Sequence, residues 1–150
     1  MINIYDAVLS FKNAYPKTVG WRYRKHCEVV EKHLNPGENV EYAFIAQKNG
    51  NPLNLFQTCV VALTNERILI GRKRLLFGYN LDSVTPDLFN DLKVVSNIIW
   101  GKVYIDTIKE FITLSNIDKR ALPEIETVIS SFMMEQKKKY PKMGNKKENI

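Results

Sequence analysis

Apolar positions along this chain change period twice, and each change falls on a cluster of turn residues. Ile4, Ala7, Val8 and Phe11 recur at three- and four-residue spacing, the repeat of one helix face, and Asn3 can accept the unpaired N–H groups of a first turn. This predicts a helix ending near Tyr15-Pro16. A second stripe of Tyr23, Cys27, Val30 and Leu34, with Arg22, Lys25, Glu28 and Lys32 opposite it, predicts a helix from about Val19 to Leu34 stopped by Asn35-Pro36-Gly37. Both stripes need a surface to cover them. The rest of the chain or a second copy would serve equally.

After residue 37 the pattern becomes that of strands. Val40 to Gln47 reads as the first, followed by turn chemistry at Lys48-Asn49-Gly50-Asn51-Pro52. The densest run of strand formers is Phe56 to Leu81, where Val60, Val61 and Leu63 precede Thr64-Asn65-Glu66, and Ile68, Leu69 and Ile70 follow. That is a hairpin signal, with Asn65 able to adopt the left-handed backbone of a two-residue turn. Gly71-Arg72-Lys73-Arg74 reads as a second interruption before a third apolar run, Leu75 to Tyr79. Asp82 to Asn90, which contains Pro86, reads as a connection. Further strands are expected at Leu92 to Ile98, Lys102 to Thr107 and Glu110 to Leu114, with Gly101 as a turn. In the middle one Val103, Ile105 and Thr107 alternate with Tyr104 and Asp106, as a half-buried strand requires. Leu122, Ile125, Val128, Ile129, Phe132 and Met133 then share one face of a helix from about Lys119 to Lys138, with Asp118 ahead of it and Pro123 in its first turn. From Tyr140 onward the periodicity stops, and disorder is expected.

A 150-residue chain with 45% apolar and 25% charged residues suits one domain with a real core. Its longest apolar runs fall far short of the roughly 20 residues of a membrane span, and the N-terminus lacks a secretory pattern. The expectation is a cytoplasmic protein. Cys27 and Cys59, in unrelated segments, read as buried free thiols. The formal charge of +6 sits at the ends: six lysines against two glutamates from Glu135 to Ile150, and six basic against three acidic residues from Met1 to Leu34. The body between is nearly neutral.

Seven strands followed by one amphipathic helix is the order of a pleckstrin-homology-like barrel. The phrase VVALTNERILIGRKRLLFGYNLDSV, the later GKVYIDT and the closing SNIDKRALPEIETVI resemble the bacterial pleckstrin-homology-like domains, in particular the short YokE-like group of Gram-positive bacteria and their phages. The likeness covers roughly residues 38 to 135, and LTNERILIG is its most specific piece. The pattern is interrupted at Pro86-Asp87-Leu88-Phe89, and the N-terminal helices lie outside it. The resemblance implies an α+β fold: a seven-stranded antiparallel barrel (37–139) capped by its C-terminal helix, with a helical extension (1–36) before it and a basic tail (140–150) after it. It implies no cofactor.

Candidate chemistry is sparse. Arg72, Lys73 and Arg74 form the basic cluster of the body; they read as an anion site at a turn or, with more weight, as a solvated turn that keeps a strand edge soluble. Arg67 reads as support for its turn. Phosphoinositide-binding domains of the resembled fold crowd cations between their first two strands, where this chain offers only Lys48. Lys137, Lys138 and Lys139, with Lys142, Lys146 and Lys147, suit an anionic bilayer, non-specific nucleic acid or plain solubility. Without an apolar insertion face, membrane contact of that kind is weak and salt-sensitive. Trp100 reads as core or as an interface anchor. His26 and His33 lack the spacing and companions of metal ligands, and neither a nucleophile elbow nor a phosphate cradle is present. The expectation is a non-enzymatic adaptor that binds an unidentified protein or itself through a sheet edge or the groove beside its last helix. A peripheral module for anionic membranes is the second reading, and a weak nucleic-acid binder a disfavoured third.

Overall fold

The side chain of Asn3 accepts from the backbone N–H groups of Tyr5 (2.9 Å) and Asp6 (3.2 Å), opening helix α1 (Ile4–Ala14) as its sequence predicts. The computed structural model describes residues 2–48 and 52–148, with side chains through residue 139. Helix α2 (Tyr23–Lys32) starts with its stripe at Tyr23 rather than at Val19 as expected, because Arg22 before it takes a left-handed conformation. Seven strands follow: β1 (Val40–Lys48), β2 (Thr58–Thr64), β3 (Ile68–Lys73), β4 (Tyr79–Val84), β5 (Phe89–Ser96), β6 (Trp100–Thr107) and β7 (Phe111–Asp118). They form one curled antiparallel sheet in the order β4-β3-β2-β1-β7-β6-β5. Helix α3 (Leu122–Glu148) closes the chain. Its first part lays Leu122, Ile125, Ile129, Phe132 and Met133 against the inner face of the sheet. The backbone stays helical past its expected end at Lys138, although the buried stripe stops at Met133. The expected turn at residues 49–51 and the last two residues of the expected tail lie outside the described residues.

Strand β2 explains why the central run is apolar without alternation. All seven of its residues are buried, because both faces of the sheet are covered there. Cys59, Val61 and Leu63 point into the core with Phe44, Ile68, Ile105 and the α3 stripe. Val60 and Ala62 face outward with Ala43, Ile45 and Leu69, under Ile4 and Val8 of α1 and Cys27 and Val30 of α2. The N-terminal helices therefore bury their stripes on the chain's own sheet. By contrast β6 alternates buried and half-buried positions along its length, as expected for a strand covered on one face.

Five local expectations need correction. Asn65 is not left-handed: the only described non-glycine residues with positive φ are Arg22 and Asn116. The β2–β3 turn holds Asn65 and Glu66 between Thr64 and Arg67, joined by Thr64 N–H to Arg67 O at 2.9 Å, and Thr64 Oγ1 accepts from the N–H groups of Glu66 (3.1 Å) and Arg67 (3.0 Å). Gly71 is no interruption but a buried member of β3, where a Cβ would stand 2.7 Å from Val30 Cγ2; its bareness lets α2 close on the sheet. Gly101 likewise lies inside β6 beneath Leu122, and the turn falls just before it, closed by Asn97 N–H to Trp100 O at 2.8 Å. The run from Leu75 to Tyr79 is not a strand. Leu75, Leu76 and Phe77 stand exposed in the β3–β4 connection, and β4 begins only at Tyr79. Pro86 sits between β4 and β5 and so interrupts neither, and the connection expected over Asp82 to Asn90 is only residues 85–88, since β4 runs to Val84 and β5 starts at Phe89.

Candidate functional site

Pairing of β1 with β2 and of β2 with β3 places the β1–β2 and β3–β4 connections at the same end of the sheet. Arg72 ties them together: its Nη1 donates to Phe56 O at 3.0 Å and to Gln57 Oε1 at 3.3 Å. Phe56 in turn meets Trp21 edge-on, with ring centroids 5.4 Å apart, and the Arg22 guanidinium stands 5.9 Å from the Trp21 ring. Beyond this joint the chain projects its largest apolar side chains into solvent. Leu53 is 90% exposed, Leu76 79% and Phe77 84%. Folded chains rarely leave such groups together in water without a use for them.

The β3–β4 tip is ordered by its own hydrogen bonds. Arg74 N–H donates to Gly78 O at 3.1 Å, Gly78 takes φ +74°, and the Arg74 guanidinium holds Asn80 Oδ1 at 3.0 and 3.2 Å. His26 of α2 supports its root: Nδ1 accepts from Lys73 N–H at 2.9 Å. Burial, and then the charges of Arg22 and Arg72, lower the His26 pKa to about 4, so the ring is neutral and free to accept at neutral pH. Of the three basic residues singled out in the sequence, Arg72 and Arg74 are thus braces as well as charges. Lys73 is half-buried beside them. Residues 68 to 81 carry these three cations and no carboxylate until Asp82, which pairs with Lys48 at 2.6 Å.

That ion pair bears on the opening between the two connections. A cavity of about 380 Å³ is lined there by Lys48, Arg72, Tyr79, Asn80 and Asp82. With Lys48 already held by Asp82, it lacks the concentration of free cations that a polyphosphate headgroup requires. A second groove, of about 420 Å³, runs between α1 and β1 to the start of α3. There Tyr42 Oη donates to Glu124 at 2.8 Å, and the groove carries no cation among its lining residues.

The other sequence candidates fall elsewhere. Trp100 is half-exposed at the start of β6, and its Nε1–H donates to Lys17 O at 2.8 Å. It fastens the α1–α2 connection, as does Asp118, which takes the Lys17 N–H at 3.3 Å and whose own N–H donates to Thr18 Oγ1 at 2.9 Å. Lys137 lies 5.3 Å over the Phe89 ring at β5, the opposite end of the strand order from β4, and Lys138 and Lys139 are exposed. The structure does not gather these lysines with Arg72 to Arg74. Arg67 supports its turn and more: Nε and Nη2 grip the buried Glu38 at 2.9 Å each, Nη2 donates to His33 O at 3.0 Å, and Nη1 to Ser83 Oγ at 3.1 Å. His33 is engaged by Val29 O and Tyr79 Oη. Cys27 and Cys59 are free and buried, and burial pushes both thiols up to about 12. No group of potential metal ligands occurs among the described residues, and none of their helices is long and apolar enough to cross a membrane.

Sequence reasoning named the cations of the tip but missed its apolar half. Leu75, Leu76 and Phe77 were legible only as a strand, because an apolar triplet carries the same pattern whether a neighbour covers it or not. The usable signal was Gly78 directly after the triplet, a residue that marks turns. Against known families, residues 34–147 match the model described as Bacterial PH domain, a span that leaves both N-terminal helices outside. No curated protein matches the chain.

Proposed function

Because the chain belongs to the bacterial PH domain family, whose members serve generally as non-catalytic interaction modules, we propose that it works by docking, and that its docking surface is the end formed by the β1–β2 and β3–β4 connections. The observation that carries this is the exposed triplet Leu75-Leu76-Phe77 on a hydrogen-bonded tip, at the same end of the sheet as the exposed Leu53 and Phe56. A rigid scaffold holding adaptable loops is how binding modules separate stability from recognition. Here β1, β2 and β3 are covered on both faces, so the tips carry recognition without weakening the core.

Of the other surfaces open on sequence grounds, a sheet edge among them, two are already engaged within the chain. Self-association through the N-terminal helices loses its motive, since their stripes already lie on β1, β2 and β3. The groove beside α3 offers Tyr42 and Glu124 already satisfied by one another. Exposed apolar residues also occur at Ile98 and Ile99 in the β5–β6 connection and at Ile108 and Phe111 around the β6–β7 connection. The former has Lys102 three residues on, with Asp118 paired opposite Trp100, and the latter sets Lys109 beside Glu110. Among the described residues, the β3–β4 tip is where exposed bulk adjoins three cations and no carboxylate.

The test is photo-crosslinking in the cells that make the protein, with a diazirine-bearing residue placed at Phe77 and, separately, at Ile98. Adducts concentrated at position 77, whether to protein or to lipid, are expected. Equal labelling at both positions, or none at 77, would rule out this end as the docking surface.

A further inference from the structure

We infer that the surface met by this end is an anionic lipid bilayer, into which Leu76 and Phe77 insert while the cations at the root of the tip meet headgroup phosphates; the inference rests on this end being the docking surface. Shape comes first. The apolar residues crown projecting connections rather than line a groove, and a Cβ built on Gly78 would meet nothing within 4 Å. A convex tip finds its complement in a deformable surface, whereas a protein partner would need a groove shaped to receive it. Charge comes second. Arg22, Arg72, Lys73 and Arg74 lie at or below the tip, and the stretches 19–25, 53–63 and 68–81 that build this end contain no Asp or Glu. Arg22 lies over the Trp21 ring that meets Phe56, and Arg72 donates to the Phe56 carbonyl, so the two guanidiniums flank one joint.

Layering is the third argument. Leu76 and Phe77 stand outermost, Tyr79 is half-exposed behind them, and Trp21 is half-buried on Phe56 with Arg22 across its face. Apolar side chains beyond a belt of amphipathic aromatics and cations is the order in which a bilayer presents acyl chains, interface and headgroups. The tip is also closed in advance by Arg74 and Asn80, so insertion requires no prior ordering. Since Lys48 is neutralised by Asp82, selection is for charge density of the surface rather than for one headgroup. Insertion supplies what a lysine tail lacks, a contribution that salt does not screen. On a nucleic acid the same cations would leave Leu76 and Phe77 in water.

Flotation of the full chain with vesicles of phosphatidylcholine, and of equimolar phosphatidylcholine and phosphatidylglycerol, tests this at low and physiological salt. Binding is expected to the anionic vesicles only, and to persist at physiological salt. Replacing Leu76→Asp together with Phe77→Asp is expected to lower the partition coefficient at least about tenfold, since the transfer of two large apolar groups is lost. Lys73→Gln with Arg74→Gln should weaken binding several-fold and flatten its salt dependence. The pair Ile98→Asp and Ile99→Asp, and the triple change of Lys137, Lys138 and Lys139 to Gln, should leave most of it. Circular dichroism checks that each variant is folded, and a Phe77→Trp variant quenched by brominated acyl chains reads insertion directly. No flotation, or flotation that ignores the tip and follows the tail lysines, overturns the lipid assignment. If position 77 then still crosslinks to protein in cells, the docking end stands with a protein partner; if it crosslinks to nothing, both readings fall.

Discussion

Arg67 shows how one side chain can set the geometry of an entire barrel end. Glu38 is fully buried and receives the Arg67 fork, the Thr64 hydroxyl at 2.7 Å and the Asn35 N–H at 2.9 Å. Burial alone would raise the Glu38 pKa, but these donors win and lower it. Removing one partner of a buried pair leaves an uncompensated charge, so Arg67→Met is expected to cost about 3 kcal/mol in urea unfolding; a loss below about 0.5 kcal/mol, typical of a surface site, would mean the pair is not structural. Asn116 makes a comparable point through the backbone. It sits in β7 at φ 59°, and its carbonyl accepts from Val19 N–H at 3.0 Å. That conformation costs an ordinary residue about 1–2 kcal/mol and a β-branched one more. Asn116→Val should therefore lower thermal stability where Asn116→Gly is better tolerated, and the reverse order would refute the account.

At the scale of elements, the α2–β3 contact couples stability to pH. The unfolded His26 titrates near 6.5 and the folded one near 4. Folding therefore excludes the proton. Its contribution is complete above pH 6.5 and declines as pH falls toward 4, by roughly 3 kcal/mol in all. Chemical denaturation between pH 7.5 and 4 reads this directly, and His26→Asn, whose Oδ1 can replace Nδ1 as acceptor for Lys73, should flatten the curve over that window. An unchanged slope would show that other groups carry it. The β3–β4 tip is the opposite kind of element, held by its own turn and touching little. Leu76→Asp with Phe77→Asp is expected to change stability by no more than about 0.5 kcal/mol, so that a loss of docking in this variant reports on the surface. A large drop in melting temperature would place the tip in the core after all.

For the whole molecule, the consequential feature is that half of the sheet is covered twice. The outer face of β1, β2 and β3 presents Val40, Ala43, Ile45, Val60, Ala62 and Leu69 to the N-terminal helices. Although residues 34–147 are what matches the family, a chain starting at residue 35 would expose this face. It is expected to be insoluble or to aggregate on refolding. A soluble, cooperatively unfolding product of that deletion would show the helices to be accessory. Trp100, Asp118 and Thr18 lock the connection between the two helices to the far half of the sheet, so extension and barrel are expected to unfold in one transition.

The elements that declared themselves in the amino-acid sequence are those whose signal is local. Asn3 as a cap, the α3 stripe and the alternation in β6 each follow from a period that one face of one element imposes. Arg67 as a turn support was legible for the same reason, since its turn lies in its own segment. What tertiary structure alone decided is which apolar residues are covered. Val60-Val61-Ala62-Leu63 and Leu75-Leu76-Phe77 carry the same kind of pattern, yet the first is buried on both faces and the second stands in water. The difference lies in partners brought from elsewhere in the chain, α1 and α2 on one side and α3 on the other. Gly71 and Gly101 read as turns for want of the same knowledge: a missing side chain can serve a bend or the approach of a neighbour, and only the position of Val30 and Leu122 distinguishes them. Burial is a property of pairs of surfaces, and a sequence specifies only one surface of each pair at a time.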